Sequence, residues 1–149
     1  MSERTLVLVK PDGVQRGLIG EVIGRFESKG FRIAGLKLMQ MSRELAGKHY
    51  AEHTEKPFFT DLVDFITSSP LVAMVVEGPG AVATVRGIMG VTNPAQAAPG
   101  TLRGDNAATI QMNIVHGSDS VERAAVEVAL FFKEDEVLSY TRDVEKWIL

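Results

Sequence analysis

Apolar residues recur along this chain with two periods, and their alternation sketches the fold. Thr5-Leu-Val-Leu-Val9 is a short continuous apolar run closed by Pro11-Asp-Gly13, which predicts a strand buried on both faces and then a turn. Leu18, Ile19, Val22, Ile23 and Phe26 recur at helical spacing, with Gly30 as a natural stop. Phe31 to Met39 predicts a second strand, whose alternation slips at Ala34-Gly35 as at a bulge. Ser42 is placed to cap a helix over 43–52. A helix after Pro57 carries Phe59, Leu62, Val63 and Ile66 as its core stripe, with Phe58 and Phe65 to one side. Leu71 to Val76 predicts a third strand and 80–90 another helix. Residues 92–111 show no sustained period, and a loop that long in a compact domain is commonly functional. Met112 to His116 predicts a short strand. Asp119 with Glu122 resembles a capping box, opening a helix with Val121, Ala124, Ala125, Val128 and Phe131 inward.

Four strands with interspersed helices predict an α+β sandwich of the split βαβ type. No linker or repeat divides the chain, so one domain is expected over residues 1–149. Hydrophobic residues make up 45% and charged residues 23%, an ordinary globular mix. The absence of cysteine excludes disulfides, thiol catalysis and Cys-ligated metals. Leu71–Val76 is the longest apolar run, far short of the ~20 residues of a membrane span. Met-Ser-Glu-Arg does not read as a signal peptide, so a soluble cytoplasmic protein is expected, with no membrane partner. The net charge of −3 argues against a general polyanion binder.

That charge is unevenly spread. The stretch 78–118 holds one carboxylate, Asp105, beside Arg86 and Arg103, together with 7 of the 14 glycines. Two arginines in such a region call for an anion, and phosphate oxygens match the guanidinium fork. Lys10 ends a predicted strand, where a lysine either serves a site or snorkels at a sheet rim. No G-x-x-x-x-G-K-S/T and no G-x-G-x-x-G occurs, so a nucleotide would be held by other means.

His49 and His53 stand four apart, a spacing that fits metal ligands but reads better as a solvated helix face. His116 lies in Asn113-Ile-Val-His-Gly-Ser-Asp119, between a strand and a helix, with Gly117 allowing close approach. Glu127 shares a helical face with Ser120 and could reach back to that strand end. A carboxylate on one ring nitrogen leaves the other free as a nucleophile, although these residues alone favour a core histidine. Likewise Thr92 beside Asn93-Pro94 reads first as a turn residue, and Phe58 as core.

Taken together, five segments resemble the nucleoside diphosphate kinase family: Val9-Lys-Pro-Asp-Gly-Val14, Tyr50-Ala-Glu-His53 with Lys56-Pro-Phe-Phe59, Thr92-Asn-Pro94, Pro99-Gly-Thr-Leu-Arg-Gly-Asp105 and Asn113 to Asp119. The resemblance runs essentially from Glu3 to Ile148. It implies a ferredoxin-like sandwich with a four-stranded antiparallel sheet covered by helices. It also implies transfer of a γ-phosphate from a nucleoside triphosphate to a nucleoside diphosphate, by a ping-pong route through a phosphohistidine, with little base selectivity. His116 would be the nucleophile, Glu127 would orient its ring, and Ser118 would support that carboxylate. Lys10, Arg86, Thr92 and Arg103 would bind phosphates, Lys10 and Asn113 the ribose hydroxyls. Phe58 would stack on the base with Leu62 beside it, and Tyr50 would hydrogen-bond near the histidine. Mg2+ would arrive on the nucleotide phosphates rather than on protein side chains alone. The expected partners are nucleotides such as ATP, GTP, ADP and GDP, and further copies of the chain, a hexamer first, with tetramer and dimer open.

The chain departs from the family pattern at 106–112, where Asn106 follows Asp105 and Gln111-Met112 precede Asn113, and at its end, Lys-Trp-Ile-Leu. Two other readings compete. A non-catalytic nucleotide-binding regulatory module on the same fold would be favoured by loss of His116 or of a phosphate-binding arginine, and none is lost. An RNA-binding sheet would need exposed aromatics and a basic face, whereas Phe31 is the one clear strand aromatic, so no nucleic acid is expected.

Overall fold

In the computed structural model, which describes residues 2–149, the first apolar run lies at the centre of a sheet. Strands β1 (Ser2–Val9), β2 (Arg32–Met39), β3 (Leu71–Pro79) and β4 (Val115–Gly117) take the order β2-β3-β1-β4 with every pair antiparallel. Both central strands read as unbroken apolar runs because both sheet faces are covered. Alternate residues serve opposite layers, since side chains switch face at each step of a strand.

On one face Val7, Val9, Met74 and Val76 meet Val22 and Phe26 of α2 (Ile19–Ser28) and Val85 and Met89 of α5 (Ala81–Met89). On the other, Leu6, Leu8, Ala73 and Val75 meet Ala46 of α3 (Arg43–His49), Val63 and Ile66 of α4 (Phe59–Ile66) and Phe131 of α7 (Val121–Phe131). This is the ferredoxin-like arrangement expected of the chain. The anticipated bulge in β2 falls between Ile33 and Gly35.

Several local expectations are corrected. Pro11-Asp-Gly13 opens a short helix, α1 (Pro11–Gln15), because proline is preorganised for the first helical position. The helix begun at Ser42 stops at His49, and Ala51–His53 forms a separate 3-10 turn. The stretch 92–111 is not structureless. It contains a 3-10 turn at Pro94–Gln96 capped by Asn93, and α6 (Leu102–Asn106) capped by Thr101. Asp105 ties it down, accepting from Gly100 N at 2.8 Å and from Arg25 Nη2 at 2.9 Å.

The fourth strand begins at Val115, not Met112, because Ile114 has a φ of 74° and breaks the extended backbone. Ser120, not Asp119, caps α7, its hydroxyl accepting from Arg123 N. The inward face of α7 is Ala124, Glu127 and Phe131 with Val128 half-buried, while Val121 and Ala125 are exposed.

Candidate active site

β4 is a short strand on the open side of β1, with His116 opposite Leu8 and Gly117 opposite Val7. A Cβ at Gly117 would lie 2.7 Å from Met89 Sδ, so the glycine lets the Met89 side chain of α5 pack close against the strand. His116 therefore stands at the rim of the sheet, facing α7, where Glu127 occupies the buried stripe.

Nε2 of His116 lies 2.9 Å from Glu127 Oε1. A carboxylate only accepts, so Nε2 carries the hydrogen and a neutral ring keeps its lone pair on Nδ1. Ser118, fully buried, donates to the same Oε1 at 2.7 Å. Burial would raise the Glu127 carboxyl, but the hydrogen bond and charge of His116, then Ser118 and His49, outweigh it and hold the group at about 2.

The cations converge from three elements. Lys10, at the end of β1, donates to Asn113 Oδ1, and burial pushes its ammonium down to about 8. Arg86 on α5 donates to Gly117 O at 3.0 Å. Arg103 on α6 is buried, and its guanidinium reaches the carbonyls of Gly90, Asn113 and Val115 at 3.0, 3.1 and 2.6 Å. The demand for an anion inferred from the scarcity of carboxylates is thus met in part by backbone oxygen. Three of its five N–H groups are used, which leaves two for another acceptor.

Lys10, Tyr50, Arg86, Thr92, Arg103, Asn113, His116 and Glu127 line one cleft of about 260 Å3. Phe58 and Leu62 line an adjoining, more apolar cavity of about 560 Å3, to which Lys10 and Tyr50 also belong. Ser118 sits behind the cleft against Glu127. Every residue singled out in the sequence is therefore at or beside one site. Tyr50 contributes ring packing, 4.7 Å from the His49 ring, rather than a hydrogen bond to His116. Burial and the Glu127 charge push its hydroxyl up to about 12.

His49 corrects the reading of a solvated helix face. It is 4% exposed, its ring stands edge-on to His116 at 4.7 Å, and burial with the charge of His116 pushes it down to about 3. Two further residues escaped the sequence reading. Arg123 donates to Glu127 Oε2 at 3.1 Å, and its spacing of four from Glu127 was the available signal. Asp12 Oδ2 accepts from Ile114 N at 3.0 Å, holding the turn that precedes β4, with no signal beyond its place in the Pro-Asp-Gly segment.

Known proteins share both sequence and fold. The family model described as nucleoside diphosphate kinase matches residues 3–137. A nucleoside diphosphate kinase of Thermus thermophilus is 65% identical over 136 residues, covering 91% of this chain and 99% of the relative. That of Thermomicrobium roseum is 59% identical over 147 residues, covering 99% of both. The structure of a halophilic nucleoside diphosphate kinase from Halobacterium salinarum in complex with CDP superposes with a TM-score of 0.97 at 50% identity, covering 100% of this chain and 99% of that one. A kinase family protein from Babesia bovis superposes with a TM-score of 0.97 at 46% identity, covering 99% of both chains. With the family model spanning most of its length and relatives this similar, the chain belongs to the nucleoside diphosphate kinase family.

Proposed function

We infer that this chain, acting as one domain over residues 1–149, is a nucleoside diphosphate kinase whose nucleophile is Nδ1 of His116. Nδ1 attacks the γ-phosphorus of a nucleoside triphosphate. A P–N bond forms as the bond from the γ-phosphorus to the β–γ bridging oxygen breaks, and the nucleoside diphosphate departs with that oxygen. A terminal phosphate oxygen of a second nucleoside diphosphate then attacks the phosphohistidine and releases Nδ1. Glu127 balances the charge that develops on the ring and keeps the Nε2 proton in place. Lys10, Arg86 and Arg103 neutralise the phosphate oxygens, which is most of what phosphoryl transfer asks of a protein. Thr92 adds a phosphate contact, and Lys10 with Asn113 fixes the ribose. Phe58, 44% exposed, offers a ring face to the base with Leu62 at its edge. Stacking reads no hydrogen-bond pattern, which supports weak base selectivity.

The observation that carries this reading is the 2.9 Å contact of His116 Nε2 with Glu127, inside a cleft whose lining includes three cations of the set above. The CDP complex of the similar halophilic kinase supports nucleotides as ligands. The cation is taken to be Mg2+. Glu127 is committed to hydrogen bonds, and Glu52 and Asp119 are the other carboxylates lining the cleft, against Lys10, Arg86, Arg103 and Arg123. That lining suits a metal carried on the nucleotide phosphates, where it neutralises phosphate charge. Self-association, with a hexamer as first choice, is supported by Leu36 and Leu38, exposed on the edge strand β2. A cytoplasmic location accords with nucleotide substrates, and among the described residues no helix is long and apolar enough to cross a membrane.

The test is incubation of wild type and His116→Ala with γ-labelled ATP and Mg2+, without acceptor. Acid-labile, alkali-stable label on the wild type, absent from the variant and discharged by GDP, CDP or deoxy-TDP, is the expected result. Unlabelled wild type that still binds nucleotide would favour the regulatory module.

A further inference from the structure

Glu127 uses its two oxygens differently. Oε1 takes His116 Nε2 at 2.9 Å and the Ser118 hydroxyl at 2.7 Å. Oε2 takes Arg123 Nε at 3.1 Å and stands 3.7 Å from Nδ1 of His49. His49 is buried and held neutral, and its Nδ1 has no hydrogen-bond partner. Arg123 is therefore the full positive charge on the Oε2 side.

The same guanidinium reaches further. Arg123 is at the third position of α7, and its Nη2 donates to the carbonyl of His49 at 2.8 Å. His49 is the last residue of α3, and Tyr50, the next residue, lines the cleft. A cation in the first turn of a helix opposes the helix dipole, whereas one at a helix C-terminus is favoured. Arg123 escapes the first position by folding onto Glu127 and the end of α3. Its side chain is three-quarters buried in doing so.

Resting on the assignment of His116 as nucleophile, we propose that Arg123 is a positioning residue of the phosphotransfer site. It holds Oε2 so that Oε1 stays aimed at Nε2 of His116, and it locks the end of α3 to the helix that carries Glu127. The terminal torsion of a glutamate is broad, so two donors on one oxygen do not by themselves fix the carboxylate plane. Arg123 supplies the third point. Partners of this outer kind, where they orient a histidine bound to a metal, carry about 10- to 100-fold of activity, and the geometry here is analogous.

The experiment compares wild type, Arg123→Gln and Arg123→Lys in single-turnover phosphoenzyme formation from γ-labelled ATP with Mg2+, with ADP affinity measured in parallel. The tautomer of His116 is read by nitrogen NMR. The expected result for Arg123→Gln is a fall of about 10- to 100-fold in phosphoenzyme formation, an unchanged ADP affinity and a weakened Nε2–H signal. Arg123→Lys, which keeps the charge but not the two-point fork, should be intermediate. It carries the test alone if Arg123→Gln fails to fold.

Variants as fast as a labelled wild type would overturn the proposal while leaving His116 as nucleophile. Weakened ADP binding with unchanged chemistry would make Arg123 a substrate contact and overturn it too. Lowered thermal stability with the wild-type rate and tautomer would reduce Arg123 to a structural tie, again overturning it. Failure of the wild type to take label at His116 would remove both this proposal and the reading beneath it.

Discussion

Asp12 Oδ2 accepts the backbone N–H of Ile114 at 3.0 Å, and Ile114 is the one non-glycine residue with positive φ among the described residues. A β-branched side chain in that region is strained by about 1–3 kcal/mol and persists only where its surroundings over-determine it. They do so here. Lys10 N donates to Ile114 O at 2.8 Å, and Val115 N closes a tight turn onto Asn113 O at 2.8 Å. Gly13 must be glycine because a Cβ would fall 2.9 Å from Ile114 Cγ2. The turn puts the Asn113 side chain on Lys10 and its carbonyl on Arg103, one step before the strand that carries His116. Asp12→Ala leaves a buried N–H without its acceptor, so a loss of about 1–3 kcal/mol is expected in denaturant titration. Asp12→Asn keeps an acceptor and should lose less stability and less phosphotransfer. Equal behaviour of the two variants would show that the acceptor is not what matters.

Acid stability should report the Glu127 cluster. Its carboxyl is held at about 2 against an ordinary value of 4.5. A carboxylate depressed on folding contributes stability that is complete above its unfolded value and drains as pH falls toward the folded one. That window is between about pH 4.5 and 2, and the contribution is on the order of 3 kcal/mol. Urea midpoints for wild type and Glu127→Gln should differ most at neutral pH and converge toward pH 2. Parallel curves across the range would place the acid sensitivity elsewhere.

Lys10 gives the opposite limb. Burial holds its ammonium at about 8 against an ordinary 10.5. The folded protein therefore sheds that charge first, and ADP affinity should weaken as pH rises through about 8. The sign for stability is reversed: the cost of burying the charge falls away between about 8 and 10.5. Tyr50 does not confuse the window, since its hydroxyl is held up at about 12. Calorimetric titration of ADP from pH 7 to 9.5 should slope for wild type and stay flat for Lys10→Ala. A slope that survives the substitution would exclude Lys10 as its source.

What the sequence showed and what it hid follow from the range of each interaction. The strand of Thr5 to Val9, the slip at Ala34-Gly35 and the stop at Gly30 are local, so period and turn chemistry reveal them. Glu127 could be placed near His116 because helix geometry brings it back to the strand end. His49 could not be read, because its burial depends on α7 packing over α3 some 74 positions downstream, where Arg123 reaches its carbonyl. The Arg123–Glu127 spacing was visible but is the ordinary spacing of a solvated pair, usually worth a few tenths of a kcal/mol. Only burial of Glu127 makes it different. Asn113-Ile-Val-His reads as a strand from its first residue because the sign of φ at Ile114 leaves no trace in the hydrophobic pattern. Residues 92–111 lacked period because their helical pieces are too short to show one, although Asn93 and Thr101 are both capping residues.

Arg103 separates charge from shape. Its Nε, Nη1 and Nη2 each satisfy a different carbonyl, those of Asn113, Gly90 and Val115, and so join the long loop, the end of α5 and the strand that carries His116. Burial, with the nearby charge of Arg86, lowers its guanidinium to about 10, still cationic at neutral pH. Lysine at this position would keep the positive charge but present one ammonium in place of a planar fork. It cannot reach three carbonyls that diverge around a guanidinium, so at least one buried oxygen loses its donor, at a cost of about 1–3 kcal/mol. The loop would then loosen from β4, and the two N–H groups not engaged by these carbonyls would lose their fixed direction. Arg103→Lys is therefore expected to lower the urea midpoint and raise KM for both nucleotide substrates, while phosphoenzyme still forms at saturation. If charge alone mattered, Arg103→Lys would match wild type in both assays, and the guanidinium fork would have no part in holding the loop to the site.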